Sequence, residues 1–434
     1  MKKRRIKSSV IGFGFLLIFL FSFKFNAYAA EPIDEVRGVL KKFYVDEIPD
    51  SVLQKPTIDE IIKELNDPYT DYFTKEEYED FINSINNDIV GIGIRIEYVP
   101  EGVKVISFSN DSPAKESGIL EGDIITGADG TSFSGLKEGE ALKYIKGKEG
   151  TYVKLSVKRG SELHNFNVKR KAVHFKTVEG KITDGNVGYI SIYSFGEQTP
   201  DEFYNVLSSL KKSKPEAYII DLRNNPGGYL NSALKMAGYF VGNKPILITE
   251  DRISGKITYY SSYYKEVIKE PVAFLINENS ASASEVLSAS VKDYKRGFFI
   301  GSNTFGKGLV QTMYPISDDG VLKFTIQRFY SPYGNEINKK GIAPDLYVKN
   351  ADPLKIATLL YAKTDSNGDN VFVSIGGRCF RIPSSLAAKK EYEDAFKYIL
   401  ESANVIRYEG KSGEKLGALS YPASLSSKLI SLKK

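Results

Sequence analysis

Cysteine, histidine and tryptophan are scarce in this sequence: its 434 residues include one cysteine, two histidines and no tryptophan. The single cysteine, Cys379, excludes a framework of intramolecular disulfides. The two histidines, His164 and His174, lie far along the chain from the serine-rich segment Ser280–Glu285. A nucleophilic serine in that segment would therefore need a base other than histidine, and lysine is a known alternative.

A long apolar run is also missing. The run near the N-terminus, Val10–Phe23, has 14 residues, fewer than the roughly 20 that a membrane-spanning helix needs. It follows a basic start and precedes the small-x-small sequence Ala27-Tyr28-Ala29. This pattern predicts a signal peptide at residues 1–29 and an exported, extracytoplasmic protein that is secreted, periplasmic or in the cell envelope. The alternative is an uncleaved leader, with loose association of the protein with the membrane.

The leader also explains the positive charge. It carries six basic residues and no acidic residue before Glu31, so removing it changes the formal net charge from +5 to about −1. A net charge near zero gives no indication of a nucleic-acid partner.

The patterns along the rest of the chain predict several domains, as its length leads one to expect. The predicted regions are a helical region at 31–88, a small, mostly β module with two helices at 89–173, an α/β core at 174–350 and an α+β extension of unknown role at 351–434. The core alternates predicted strands and helices, which is typical of an α/β fold. Its clearest elements are the strands Val187–Ile192, Ala217–Leu222 and Pro271–Ile276 and the helix Pro200–Leu210.

The segment Ser280–Glu285 follows a predicted buried strand and begins a predicted helix. Ser282 and Glu285 are three residues apart, so a simple capping box explains them as well as a catalytic role does. In the catalytic interpretation, the N–H groups at the helix start would stabilise an oxyanion beside the serine. Spacing alone leaves Ser280 and Ser284 as competing nucleophiles.

Lys307 lies between two glycines, which allow close approach of the backbone. A lysine base must be neutral, so its pKa must fall well below its reference value of about 10.4. Burial supplies such a shift, and Phe305, Leu309 and Val310 are candidate apolar neighbours. Gln311 would share one strand face with Lys307 and could orient it without adding charge.

Two glycine-containing segments are candidate binding sites. Asn224–Gly228 is either an ordinary strand-to-helix loop or a site where backbone N–H groups bind a negatively charged group. Gly91-Ile92-Gly93-Ile94 lies in the predicted strand Val90–Ile96. It is either a plain strand or a loop that binds the terminal carboxylate of a peptide added as a strand.

Together these motifs resemble the carboxy-terminal processing proteases, also called tail-specific proteases, which are Ser–Lys peptidases. The resemblance extends from about Asn66 to Asp345. The segments that match are Asn66–Phe73, Val90–Ile94, Ser112–Asp123, Asp221–Gly228, Ser280–Glu285, Thr304–Gln311 and Lys340–Asp345. The segments Val90–Ile94 and Ser112–Asp123 look like parts of a PDZ domain, which would be the module at 89–173, and the core at 174–350 would be the protease domain.

The resemblance implies a role for each matching residue. Ser282 would be the nucleophile, Lys307 the base and Gln311 the third member of the centre. Backbone groups of Gly227, Gly228 and Ala283 would form the oxyanion hole. Arg223 and Asp293 would have supporting roles, and Gly91, Ile92, Gly93 and Ile94 would bind the peptide C-terminus. The family's core has a β/α superhelical fold like those of crotonases and ClpP, and no metal or cofactor is expected.

The sequence thus predicts an exported serine endopeptidase that binds protein or peptide substrates through their C-termini and cleaves nearby. The PDZ domain would recognise the substrate and could gate the catalytic site. The sequence does not decide the oligomeric state, and a homodimer is one of the alternatives. One alternative is an inactive protease-like PDZ scaffold, against which the intact Ser282 and Lys307 argue. Another is a crotonase-like acyl transferase, against which the export signal argues.

Overall fold

The structure, a computed structural model, describes residues 16–19, 32–109, 111–137, 139–253, 255, 257–261, 265–364 and 368–409. The predicted cleavage site Ala27–Ala29 lies outside these residues. Within them, every helix is too short or too polar to cross a lipid bilayer. The chain forms two compact units, one of residues 79–177 and a larger one of residues 1–78 with 178–434.

The N-terminal part of the larger unit is mainly helical, as predicted. Its elements are β1 (Leu16–Phe19), α1 (Pro32–Phe43), α2 (Asp50–Leu53), α3 (Ile58–Leu65), β2 (Asp71–Phe73) and the start of α4 (Lys75–Asn86), whose residues from 79 onward belong to the smaller unit. Helix α3 ends at its C-cap Asn66, which adopts a left-handed conformation with φ 51°. A capping box precedes α4: Thr74 N–H donates to the Glu77 carboxylate at 2.9 Å and Glu77 N–H donates to Thr74 Oγ1 at 3.3 Å.

The smaller unit is mostly β, as predicted. Its strands and helices are β3 (Asp88–Gly91), β4 (Ile94–Val99), β5 (Gly102–Phe108), α5 (Pro113–Glu116), β6 (Ile124–Ala128), β7 (Thr131–Ser132), α6 (Glu140–Ile145), β8 (Tyr152–Arg159), β9 (Glu162–Lys169) and β10 (Lys171–His174). The main sheet has the order β4-β5-β6-β8-β9, with β7 paired to β6, so β4 is an edge strand within the described residues.

The prediction of one continuous strand at Val90–Ile96 was wrong. The strand is interrupted at Ile92 and Gly93, and β3 pairs with β10 in a separate two-stranded sheet. The Ile92 carbonyl accepts hydrogen bonds from Ala114 N–H at 3.0 Å and Ser112 Oγ at 3.0 Å. These bonds to the start of α5 replace ladder bonds, and Gly93, at φ 71°, makes the turn.

In the part of the core that the structure describes, there are two sheets and three α-helices. Its elements are β11 (Val178–Thr183), β12 (Val187–Ile192), α7 (Thr199–Leu210), β13 (Tyr218–Asp221), β14 (Gly227–Tyr229), α8 (Leu230–Val241), β15 (Pro245–Asp251), β16 (Ile257–Ser261), β17 (Val272–Ile276), α9 (Ala283–Asp293), β18 (Phe298–Gly301), β19 (Leu309–Pro315), β20 (Val321–Tyr330) and β21 (Leu346–Tyr347). The first sheet has the order β11-β12-β13-β17-β18-β21, and all its pairs except β11–β12 are parallel. The second has the order β14-β1-β19-β20-β15-β16, with β2 paired to β20. This arrangement confirms the predicted α/β class.

The C-terminal extension packs against the core. Its elements are α10 (Pro353–Tyr361), β22 (Asn370–Ile375), β23 (Arg378–Pro383), α11 (Ser384–Ala387), α12 (Glu393–Ser402) and β24 (Val405–Glu409). Leu359, Ile382 and Ile399 belong to the same buried cluster as Ile219 and Phe298 of the parallel sheet. The extension therefore removes apolar surface of the core from water, which stabilises the fold.

Candidate active site

Ser282 lies at the turn that joins β17 to α9, and its backbone is strained. Its φ and ψ are 58° and −111°, a region that residues other than glycine rarely adopt. Such strain costs of order 1–3 kcal/mol and is concentrated at functional sites. The side chain is buried, and among the described residues its Oγ has no hydrogen-bond partner. The hydroxyl proton is therefore available for transfer.

The two competing serines have structural roles. Ser280 Oγ donates to the Leu222 carbonyl at 2.7 Å, and Ser284 Oγ donates to the Asn225 carbonyl at 3.0 Å. Both bonds join the serine segment to the loop that follows β13. The geometry therefore favours Ser282 over its neighbours as the nucleophile.

The buried carboxylate of Glu285 joins the serine segment to the lysine segment. Its Oε2 accepts the N–H groups of Ser282 and Lys307, each at 2.8 Å. Its Oε1 accepts Thr304 Oγ1 at 2.6 Å and Gly306 N–H at 2.7 Å. Burial raises the pKa of Glu285, and these four hydrogen bonds oppose the rise. The sequence predicted only the cap on Ser282, because the other bonds come from residues far along the chain.

Lys307 is completely buried, and this lowers the pKa of its amine well below the ordinary value for lysine. The charge of Lys323 lowers the pKa further, while the carboxylates of Asp67 and Glu285 act in the opposite direction. The Lys307 amine lies 4.1 Å from the centroid of the Tyr69 ring. Phe305, a predicted apolar neighbour, is instead 45% exposed. The lysine environment therefore favours the neutral, proton-accepting form.

Gln311 is buried, but it does not share a strand face with Lys307 as predicted. Lys307 precedes β19, which begins at Leu309, so Lys307 lies outside the strand that carries Gln311. Gln311 Nε2 donates to Thr325 Oγ1 at 3.2 Å. Its Oε1 has no hydrogen-bond partner among the described residues, so a direct bond from Gln311 Oε1 to the Lys307 amine is not formed.

The loop before α8 packs directly against the start of α9. A Cβ added to Gly227 would lie 2.9 Å from both the Ala283 nitrogen and the Ser282 Cβ, so only glycine fits there. Gly227 and Gly228 also have positive φ angles of 103° and 146°. Ala283 is the first residue of α9, and its N–H has no acceptor within the helix. Backbone donors of this loop and of α9 thus meet beside Ser282.

One of the predicted oxyanion donors is already engaged. The Gly227 N–H donates to Asn225 Oδ1 at 2.9 Å, which leaves Gly228 and Ala283 as the predicted donors. Asn225, which sequence reasoning missed, is fully buried and also donates to the Ile192 carbonyl at 2.7 Å. Its own carbonyl accepts Ala281 N–H at 3.0 Å. The asparagine therefore fixes the loop against the serine segment.

The hydrogen bonds found for the two predicted supporting residues go to residues other than Ser282 and Lys307. Arg223 forms a bidentate pair with Asp221, with Nε–Oδ1 at 2.9 Å and Nη2–Oδ2 at 2.5 Å. Asp293 ends α9, about 16 Å along the helix from Ser282. It accepts hydrogen bonds from Ser331 Oγ at 2.5 Å and Tyr333 N–H at 2.9 Å. These contacts support the loop after β13 and the loop after β20, respectively.

Strand β1 lies between β14 and β19, the strands that contain Gly227, Gly228 and Gln311. β1 runs parallel to both strands, and Ile18 is the register partner of both Tyr229 and Gln311. β1 belongs to the predicted leader, so an extended segment of this chain itself occupies the position between the two strands.

The predicted peptide-binding residues of the smaller unit lie where β3 ends and β4 begins. Ile92 is buried in the core of that unit, so its side chain is not a contact surface. A Cβ on Gly93 would lie 2.4 Å from Ser109 Oγ, so the turn requires glycine. The adjoining β4 is an edge strand in the described part of the sheet, and such an edge can pair with an added strand.

Comparison with known proteins agrees with this geometry. Residues 186–348 match the model of peptidase family S41, and residues 90–169 match that of the PDZ domain. A Staphylococcus aureus protein named "Probable CtpA-like serine protease" is 36% identical over 340 residues, which cover 78% of this chain and 68% of that protein. This chain belongs to peptidase family S41.

Other S41 relatives extend the comparison. A protein of the same name from Staphylococcus haemolyticus is 37% identical over 322 residues, covering 73% of this chain. This chain matches only 64% of that relative's length. The solved structure of an S41 protease candidate from Bacteroides fragilis has a TM-score of 0.52 at 14% identity, covering 75% of this chain and 92% of that one. This last likeness supports the fold of the S41 core.

Proposed function

We propose that this S41 family member is an exported serine endopeptidase that cleaves protein substrates near their C-termini, with Ser282 as nucleophile and Lys307 as base. The observation that carries the proposal is the shared contact with Glu285. One carboxylate oxygen holds the backbone of both residues. It thereby associates an unpartnered, strained serine with a buried lysine of lowered pKa.

The proposed reaction follows from these environments. The neutral Lys307 amine takes the proton of Ser282 Oγ as that oxygen attacks the scissile carbonyl. Backbone N–H groups of Gly228 and Ala283 stabilise the resulting oxyanion. The Lys307 ammonium then gives its proton to the leaving amine, which separates from the acyl-enzyme. Water, activated by the same lysine, hydrolyses the ester and restores Ser282.

Removal of the leader would leave the position of β1, between β14 and β19, for an extended substrate. Pairing with both strands would hold a peptide backbone by main-chain hydrogen bonds, largely independent of sequence. A substrate bound there would have Gln311 of β19 on one side and the strand Gly227–Tyr229 on the other.

Recognition of a C-terminus is assigned to the PDZ domain. The turn at Gly91–Ile94 offers backbone N–H groups to a carboxylate, and the edge of β4 offers a place for an added strand. Binding there would gate catalysis by favouring the active conformation, to the extent of the ligand's preference for it. The leader at residues 1–29 supports an extracytoplasmic location.

The nucleophile is tested with a fluorescent fluorophosphonate and with casein as a protein substrate. Ser282→Ala should abolish labelling and proteolysis. Ser288→Ala is the matched control, because Ser288 lies in the same helix, is buried, and has an Oγ without a partner among the described residues. Proteolysis by a folded Ser282→Ala protein, or an unlabelled wild type, would contradict the proposal.

A further inference from the structure

One wall of the Lys307 pocket comes from outside both regions that match the family models. Tyr69 lies in the turn between α3 and β2, whereas the matches cover residues 90–169 and 186–348. The face of its ring lies 4.1 Å from the Lys307 amine, measured to the ring centroid. The ring is half-buried, while the lysine is completely buried.

Asp67 fixes the turn that carries this ring. Its Oδ1 accepts the N–H of Tyr69 at 3.0 Å. Its Oδ2 accepts the hydroxyl groups of Thr70 at 2.7 Å, Thr325 at 2.8 Å and Tyr44 at 3.1 Å. The carboxylate therefore stabilises the turn internally and also connects it to β20. A ring on such a turn has little freedom to move away from the lysine.

The same network reaches Gln311. Thr325 donates to Asp67 and accepts the Gln311 amide at 3.2 Å. One short turn thus contacts the lysine through Tyr69 and is joined to the glutamine through Asp67 and then Thr325. Its position beside both residues is a property of the tertiary structure, since the turn is distant from them in sequence.

Proton transfer from Ser282 creates an ammonium at a completely buried position. The charged groups that act on Lys307 are the carboxylates of Asp67 and Glu285 and the ammonium of Lys323. An aromatic face attracts an ammonium more strongly than a neutral amine, because the ring carries partial negative charge on its face. Tyr69 therefore favours the form of the lysine that appears as the reaction proceeds.

We propose that Tyr69 is a positioning residue for Lys307, whose ring holds the amine in place and stabilises the ammonium formed when Ser282 loses its proton. Asp67 holds the ring there. This inference rests on the proposed function, because it assigns Tyr69 a part in the same proton transfer.

The test is the rate of fluorophosphonate labelling as a function of pH. Tyr69→Phe keeps the ring and should retain the wild-type profile. Tyr69→Leu keeps an apolar wall but removes the aromatic face. Its plateau rate should fall roughly ten-fold, and its midpoint should move to lower pH by roughly half to one unit. The midpoint moves down because loss of the ring destabilises the ammonium and so lowers the lysine pKa.

Tyr72→Leu is the matched control, since it makes the same change in the same segment. The Tyr72 hydroxyl donates to Asp318 and not to the catalytic candidates. Its profile should keep the wild-type midpoint even if the protein is less stable in thermal unfolding. If Tyr69→Leu does not fold, a trifluorinated phenylalanine at position 69 preserves the shape while weakening the negative face, and it should shift the midpoint in the same direction.

Wild-type midpoints and plateaus in the Tyr69→Leu or fluorinated protein would overturn the inference. An equal shift in Tyr72→Leu would also overturn it. Failure of the proposed function is distinguishable, because wild-type protein would then show no labelling that depends on Ser282.

Discussion

The backbone N–H of Ser282 and the backbone N–H of Lys307 donate to the same oxygen, Glu285 Oε2, at 2.8 Å each. The two nitrogens are therefore no farther apart than the sum of these two distances. The Glu285 carboxylate thus both caps the start of α9 and joins the serine segment to the lysine segment. Any change that loosens it should affect both the stability of the protein and its reactivity.

Replacement of Glu285 tests this link. Glu285→Gln introduces amide N–H groups opposite backbone and hydroxyl donors, so at least one buried donor loses its acceptor. We expect the free energy of unfolding to fall by about 1–3 kcal/mol, and fluorophosphonate labelling to fall with it. Urea unfolding measures the first effect. Glu278→Gln is the control, because Glu278 is exposed and accepts a hydrogen bond from the Ser302 hydroxyl at the surface. Equal losses in both variants would contradict a special role for Glu285.

Replacement of Lys307 tests the neutral base. Lys307→Arg keeps a positive charge that does not titrate, so it should abolish proteolysis of casein. In the wild type, burial lowers the lysine pKa. Activity should therefore rise as the pH rises through that lowered pKa, and should be present at a pH where an ordinary lysine is still charged. Measurable turnover by the arginine variant would exclude the proposed role.

Lys323 should set the pH at which Lys307 becomes active. Lys323 is largely buried, lies 3.8 Å from Asp71 and lowers the pKa of Lys307 through its charge. In Lys323→Met this repulsion is lost, the Lys307 pKa rises, and the rising limb of activity should move to higher pH by roughly one unit. The measurement is the pH dependence of kcat/KM. Lys323→Arg keeps the charge, so the rising limb of its pH profile should stay at the wild-type pH. A similar shift in both variants would indicate that altered packing, and not the lost charge, causes the shift.

The PDZ domain should require a free carboxylate. In Ser282→Ala protein, which prevents turnover, an apolar peptide with a free C-terminus should bind more tightly than the same peptide with an amidated C-terminus. The reason is that the N–H groups of the Gly91–Ile94 turn pair with an anion more strongly than with a neutral amide. Fluorescence anisotropy of labelled peptides measures the difference. Equal affinities would leave the domain without the proposed C-terminal specificity.

Local patterns in the sequence were sufficient for much of the fold. The strand Val187–Ile192 was predicted with its observed bounds, and the helix Pro200–Leu210 differs from α7 by one residue. Strands buried on both faces are continuously apolar, so Ala217–Leu222 and Pro271–Ile276 were also recognisable. In contrast, the sequence Ser384–Ala403 also has a helical pattern, but the structure divides it into α11 and α12, with a 3-10 turn at Lys390–Tyr392 between them. There, packing against the core outweighed local propensity.

For the candidate site, the sequence by itself determined the chemical types and their segments: a serine at a strand-to-helix turn, a lysine between glycines, and a family resemblance joining them. The tertiary structure decided which serine keeps an unpartnered hydroxyl, because the partners of Ser280 and Ser284 are carbonyls of another loop. It also decided how Lys307 is buried, since Tyr69 and Lys323 come from distant segments. Motifs are local, whereas burial and electrostatic fields depend on every segment that folding brings together.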